Sequence, residues 1–137
     1  MAAHSGLIMD TSALEAWARQ ESAAFMRLGE IKEAATSLLI PSVCVVEAFS
    51  RAGTEEERRL ITQILGADFV LRAEGSALTA QQALLVSYRL LKSTTISDLS
   101  LAHAAAFYDL RGWPVLTARP ELLRARYPEI PVIDILN

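Results

Sequence analysis

Three carboxylates, Asp10, Glu47 and Asp98, interrupt stretches that are otherwise built to be buried. Asp10 ends the apolar run Gly6-Leu7-Ile8-Met9, which has the length of a strand, and the hydroxyl residues Thr11 and Ser12 follow it. Glu47 lies inside Val43-Cys44-Val45-Val46-Glu47-Ala48-Phe49, and Asp98 opens the alanine-rich segment from Leu99 to Leu110. Two or three close carboxylates cannot all ionise cheaply, because each negative charge raises the pKa of the others. A hard divalent cation, Mg²⁺ or Mn²⁺, resolves that repulsion and can activate a water against a phosphoryl group.

Each acid taken singly also has an ordinary explanation. Glu47 can pair with Arg51 four residues on, an exposed helical ion pair worth a few tenths of a kcal/mol. Asp98 can sit at the third helical position after an N-cap at Thr95. The cap explanation is weakest for Asp10, since Ser12 and Glu15 have the spacing of a capping box and would start the helix without it.

The elements that must position these acids can be read along the chain. A helix follows Ser12, and a second runs from about Ser22 to Ala35 with Phe25, Leu28 and Ile31 on its apolar side. Leu38-Leu39-Ile40 is a strand stopped by Pro41, and Ser42 is expected to cap a helix from Val43 to about Arg51. Gly53-Thr54 starts a helix from Glu55 to Leu65 whose charges form a solvated face, Gly66 ends it, and Asp68-Phe69-Val70-Leu71 reads as the third strand. A long helix is expected from Ala77 to Leu91, with Leu78, Leu85, Tyr88 and Leu91 buried. Thr94 to Asp98 then introduces the alanine-rich helix, which Gly112 ends. Pro114 to Thr117 is the fourth strand, a short helix follows Pro120, and Pro131 to Ile135 is the last strand. Short strands alternating with helices point to an α/β domain with a parallel sheet, with Asp10 at the carboxyl end of its first strand, where such sheets bind ligands. If the first, second and fourth strands are neighbours, all three acids meet at one edge of the sheet.

The 137 residues suit a single domain, residues 1–137, with one core. The 52% hydrophobic share exceeds that of an ordinary soluble domain, which suggests apolar surface covered by a second subunit. No apolar run has the roughly 20 residues of a membrane helix, and Met1 to Met9 lacks the basic start of a signal peptide. The single cysteine, Cys44, between two valines, reads as a small buried hydrophobe, and these features together favour the cytoplasm. A net charge of −3 gives no overall basic surface for nucleic acid, although a local patch or a bound cation can still face a phosphate.

The ordered set Leu7-Ile8-Met9-Asp10-Thr11-Ser12-Ala13-Leu14, Val46-Glu47-Ala48-Phe49, Ser97-Asp98-Leu99-Ser100-Leu101-Ala102 and Val115-Leu116-Thr117 resembles the PIN-domain ribonucleases found as toxins in VapC-type toxin–antitoxin pairs. The resemblance spans nearly the whole chain. It implies a three-layer α/β/α sandwich with a five-stranded parallel sheet, metal-dependent cleavage of RNA, a homodimer, and inhibition by a small antitoxin protein. It also implies that Asp10, Glu47 and Asp98 are catalytic, with Asp10 and Asp98 on the metal and Glu47 a further candidate ligand.

One position departs from the family pattern. A fourth acid commonly stands two residues beyond the Thr of the fourth strand, and here that residue is Arg119. An arginine among carboxylates is expected to pair with one of them and to compete with a cation, at roughly 4 kcal/mol for opposite charges 4 Å apart at an effective dielectric near 20. Glu121 is a candidate to replace the missing acid, and Arg119 itself a candidate to hold an RNA phosphate. Thr11, Ser12 and Thr117 are candidates for substrate or metal-water contacts, with local turn bonding as the alternative. His103 has no partner at metal-ligand spacing and reads as structural, while Arg111, Arg124 and Arg126 fit either a basic rim for RNA or a solvated surface.

Three functions compete on these residues. The first is a metal-dependent endoribonuclease, and the second a degenerate PIN-like module that binds RNA or protein without cutting, which Arg119 favours. The third, transfer through an aspartyl-phosphate on Asp10, needs a second Asp where Ser12 stands. No Gly-rich phosphate loop suggests a nucleotide cofactor.

Overall fold

The computed structural model describes residues 6–71, 73–90, 93 and 95–137. The expectations for the first five residues, for Leu91 and for Thr94 lie outside the described residues. The chain order is β1 (Gly6–Met9), α1 (Thr11–Ala18), α2 (Ser22–Glu33), β2 (Ser37–Leu39), α3 (Ser42–Arg51), α4 (Glu55–Leu65), α5 (Ala73–Ser76), α6 (Ala80–Leu90), α7 (Ile96–Arg111), β3 (Val115–Thr117), α8 (Pro120–Arg126) and β4 (Val132–Asp134).

Gly6 to Met9 is buried throughout, as a strand covered on both faces must be. It lies in the middle of a parallel sheet of order β2-β1-β3-β4, with Leu7 beside Leu38 and Met9 beside Leu116. Alternation along the strands sends Leu7, Met9, Leu38 and Leu116 into a core with α1, α2 and α4, and sends Ile8, Leu39 and Val115 into a second core with Ala104, Phe107 and Leu123. Helices therefore cover both faces. Ile8, Met9, Leu38, Leu39 and Leu116 are fully enclosed, each worth about 1.5–3 kcal/mol of burial.

The sheet has four strands among the described residues, not five. Residues 68–71 meet β2 through a single bridge, Leu38 to Val70, with Leu38 N–H donating to Phe69 O and Leu71 N–H to Leu38 O. The reason is local: the amide of Val70 is already spent on Ala67 O in the turn that leaves α4, so the segment straightens too late to run as a strand.

Several helix ends also differ from expectation. Asp10, not Ser12, is the N-cap of α1, accepting the Ala13 amide at 3.0 Å. Ser42 is the first residue of α3 rather than its cap, and its hydroxyl accepts the amide of Leu78. The long helix expected from Ala77 to Leu91 is interrupted, with α6 beginning only at Ala80. On it Val86 is buried and Leu85 partly covered, while Tyr88 is 76% exposed; Leu78 is exposed as well. In α2, Ala24 takes the inward place expected for Phe25, which faces solvent. By contrast, Thr54 and Gly66 bound α4 as their types require, and Thr95 caps α7. Gly112 closes α7 at φ 72°, a left-handed turn suited to glycine.

At the entry to β1, a Cβ on Gly6 would collide with the indole of Trp113, itself held under the Arg111 guanidinium at 4.9 Å. Gly6→Ala is therefore expected to cost about 1–3 kcal/mol by overpacking. Thermal unfolding should show the loss, and Trp113→Leu in the same chain should recover part of it; an unchanged melting temperature for Gly6→Ala would contradict this contact.

Candidate functional site

The carboxyl ends of β1 and β3 open onto a small cavity of about 80 Å³, too small to swallow a nucleotide but open to one lying across it. Asp10, Glu47 and Asp98 all line it, together with Glu15, Arg51 and Arg119. The sheet order explains the meeting: β1 carries Asp10, α3 following β2 carries Glu47, and α7 preceding β3 carries Asp98.

Asp10 is 3% exposed. A chain of hydroxyls aims at it. Ser12 Oγ donates to Asp10 Oδ1 at 2.8 Å and lies 3.1 Å from the Thr117 hydroxyl, whose Oγ1 in turn accepts the Arg119 amide at 3.0 Å. Ser12 Oγ also accepts the Ala118 amide at 2.9 Å. Each bond polarises the next toward the carboxylate. Burial nonetheless outweighs the donors from Thr117, Ala13 and Ser12 and, with the nearby charge of Glu47, holds the Asp10 pKa above the usual range. Asp10 has no ion pair among the described residues. Ser12 and Thr117 thus act on Asp10, and Thr117, fully buried, lies beneath the cavity rather than on its lining.

Glu47 is buried, unlike the exposed ion-pair partner that helical spacing alone suggests. It does pair with Arg51, at 2.6 Å, but it also accepts from Ser97 at 2.6 Å and Ser100 at 2.5 Å, two hydroxyls one turn apart on α7. Burial would raise its pKa, and these hydroxyls with the arginine more than reverse that, leaving it below the usual range. The Thr11 hydroxyl contributes in the same direction from close by, yet it makes no hydrogen bond of normal geometry and is a buried, unpartnered polar atom beside the cavity.

Asp98 is half-buried and held by Ser93 and by Arg126 at 2.9 Å, which keep it charged. Arg126 is therefore a counter-ion rather than a free rim cation. Arg119 does not make the expected pair with a carboxylate: it is exposed, and forms no ion pair among the described residues. The competition comes instead from Arg51 and Arg126, neither of which stands at the departing position. Glu121 is exposed in the first turn of α8, off the cavity, and does not replace the missing acid. The sequence reading missed Glu15, whose carboxylate reaches the cavity one turn into α1 and meets Arg51 at 3.3 Å. Its spacing from Thr11, four residues earlier on the same helix face, is the signal that could have found it.

Cys44 is buried, with its thiol on Ser100 O, and burial raises its pKa so far that it stays a thiol. His103 bridges helices: its Nδ1 accepts the Val43 amide and its Nε2 faces Gln82 Oε1, which assigns the proton to Nε2. Neither reaches the cavity lining.

The donor set suits a hard divalent cation, because among the described residues the lining offers carboxylates and hydroxyls and no thiol or imidazole. Among the described residues, no three acids, histidines or cysteines come close enough to hold an ion by themselves. Asp10 and Asp98, with Glu47 as a further ligand, are the acids of the lining that would carry it with water completing the shell, as Mg²⁺ prefers, and the Thr11 hydroxyl beside them is left without a partner among the described residues. No helix among the described residues is long and apolar enough to cross a membrane. No protein-family model matches the chain, and no curated protein matches it either.

Proposed function

We propose that this chain is a PIN-like, metal-dependent endoribonuclease with a three-layer architecture, acting in the cytoplasm as a homodimer and neutralised by a small antitoxin. The observation that carries the reading is Asp10: a buried carboxylate without a cationic partner among the described residues, set by the hydroxyls of Ser12 and Thr117 and a helix amide in a cavity shared with Glu47 and Asp98. In this reading RNA lies across the mouth of the cavity. Asp10, its carboxylate fixed by the Ser12 hydroxyl and the Ala13 amide, is the central residue that would hold the cation beside the RNA. Glu47, fixed by Ser97 and Ser100, and Asp98 hold the negative side of the site rigid. A bound Mg²⁺ or Mn²⁺ would supply Lewis-acid polarisation of the phosphoryl oxygen.

Titration calorimetry with Mn²⁺ tests it. The wild-type chain should bind the ion, and Ser12→Ala, which removes an orienting bond from Asp10, should weaken binding about 10-fold or more. Absence of measurable binding to the wild type would favour a second reading, a module that holds RNA or protein without cutting. The Glu47–Arg51 and Asp98–Arg126 pairs speak for that alternative, since they already neutralise two of the three acids.

A further inference from the structure

Arg51 and Arg119 line the acid cavity, and Arg19 meets Glu15, a carboxylate of the same lining. Glu15, with its side chain 11% exposed, meets Arg51 Nε at 3.3 Å and Arg19 at 4.0 Å. Arg119 stands near enough for its charge to act on Glu15, and it lines the cavity. Arg19 comes from the end of α1, Arg51 from the end of α3 and Arg119 from the turn between β3 and α8.

Arg51 holds both Glu47 and Glu15, whereas Arg19 and Arg119 are not consumed by the protein. Arg19 and Arg51 have side chains 53% and 46% exposed, and Arg119 is exposed with no ion pair among the described residues. At 4.0 Å the Arg19 contact is too long to spend its donors, and each guanidinium has five N–H groups. Three positive charges against Glu15 and the Glu47 that Arg51 also holds leave a positive edge at the rim, although the whole chain carries −3. Just behind them sit Asp10, Glu47 and Asp98, which repel a polyanion. A nucleic-acid backbone reaching those acids needs cations at the entrance. The backbone of Arg119 is fixed relative to Asp10 through Thr117 and Ser12, so a phosphate held there would be in register with the acid.

We propose that Arg19, Arg51 and Arg119 form a phosphate-binding rim that grips the RNA backbone beside the bond to be cut, with Glu15 between Arg19 and Arg51. The assignment rests on the nuclease reading above for the position of the cut, and on the rim alone for binding. It also places the arginine at the family's departing position on the side of substrate, not of the metal.

The test uses the full chain with a fluorescent single-stranded RNA oligonucleotide in chelator, which withholds the metal that cleavage needs, and reads anisotropy across a salt series. Arg119→Ala should weaken binding roughly tenfold, the loss of one charged hydrogen bond. Arg19→Ala should weaken it less, and each should lower the slope of log affinity against log salt by about 0.7. Arg124→Ala, at an exposed arginine of α8 outside the cavity lining, should leave both quantities unchanged. Arg51 is left intact because it also neutralises Glu47. Wild-type affinity and slope in Arg119→Ala and Arg19→Ala would overturn the rim, as would equal weakening by Arg124→Ala, which would mark diffuse charge. Rim-dependent binding with no cleavage in Mn²⁺ would remove the nuclease reading and keep the rim. Cleavage by Arg119→Ala with unchanged KM and unchanged binding would do the reverse.

Discussion

Replacing Asp10 with Asn should make the protein more stable at pH 7.5 while disabling its site. Asn keeps the cap, because its carbonyl oxygen can accept the Ala13 amide and the Ser12 hydroxyl, and Asn caps helices as well as Asp. What it removes is a charge that the fold buries at a cost. The sign follows from the direction of the shift. The folded pKa of Asp10 lies above its ordinary 3.8, so the native state favours the protonated acid and loses stability as pH rises from about that value through the folded pKa. Above that window the variant should exceed the wild type by roughly 1–2 kcal/mol, the usual gain when a functional site is relieved, or ~4 °C in melting temperature for a chain of this size. At pH 3 the two should melt together. A variant less stable than the wild type at pH 7.5 would mean that Asp10 is structural.

The second large effect is on acid stability, and it belongs to His103. The ring is fully enclosed between Val43, Gln82 and Phe107, whose ring lies 4.9 Å away, and burial lowers its pKa from 6.5 to about 4. A protonated ring would also turn Nδ1 into a donor facing the Val43 N–H, itself a donor. Between about pH 6.5 and 4 the unfolded chain binds a proton that the native chain refuses, so stability falls as pH drops through that window. At 1.36 kcal/mol per unit the loss approaches about 3 kcal/mol. Denaturant unfolding at pH 7 and pH 4.5 should show it, and His103→Gln should flatten the difference while lowering stability at pH 7. Equal acid sensitivity in that variant would assign the effect to the carboxylates. Glu47 contributes separately: its lowered pKa gives stability that is lost only as pH falls below the ordinary 4.5.

Much of this arrangement could be read along the chain because the informative contacts are local. An apolar strand run that stops on an acid, Thr95 three residues before Asp98, and Gly112 after the alanine-rich helix all act within one turn. The errors arise where a side chain is claimed from afar. Ser12 and Glu15 have capping-box spacing, but the Ser12 hydroxyl contacts Thr117, 105 residues away, and its neighbour Asp10 takes over the cap. Ser42 is drawn to the Leu78 amide in the same way. Glu47 shows the mixed case: its bond to Arg51 follows from helical spacing, while its burial depends on Ser97 and Ser100, 50 and 53 residues on. Arg126 is the clearest limit, since nothing local distinguishes it from Arg124, yet it pairs with Asp98. The strand expected at residues 68–71 failed for a backbone reason, the turn at Ala67, that composition does not reveal.

The measurement closest to the central claim is cleavage of a labelled single-stranded RNA by wild-type protein and Asp10→Asn, purified side by side. The wild type should cut in Mg²⁺ or Mn²⁺ and stop in chelator, and the folded variant should be slower by about 10²-fold or more, since a bound ion supplies several kcal/mol of Lewis-acid stabilisation. Cleavage by Asp10→Asn at the wild-type rate, or by the wild type in chelator, would contradict the assignment of Asp10 as the centre of a divalent-metal nuclease site.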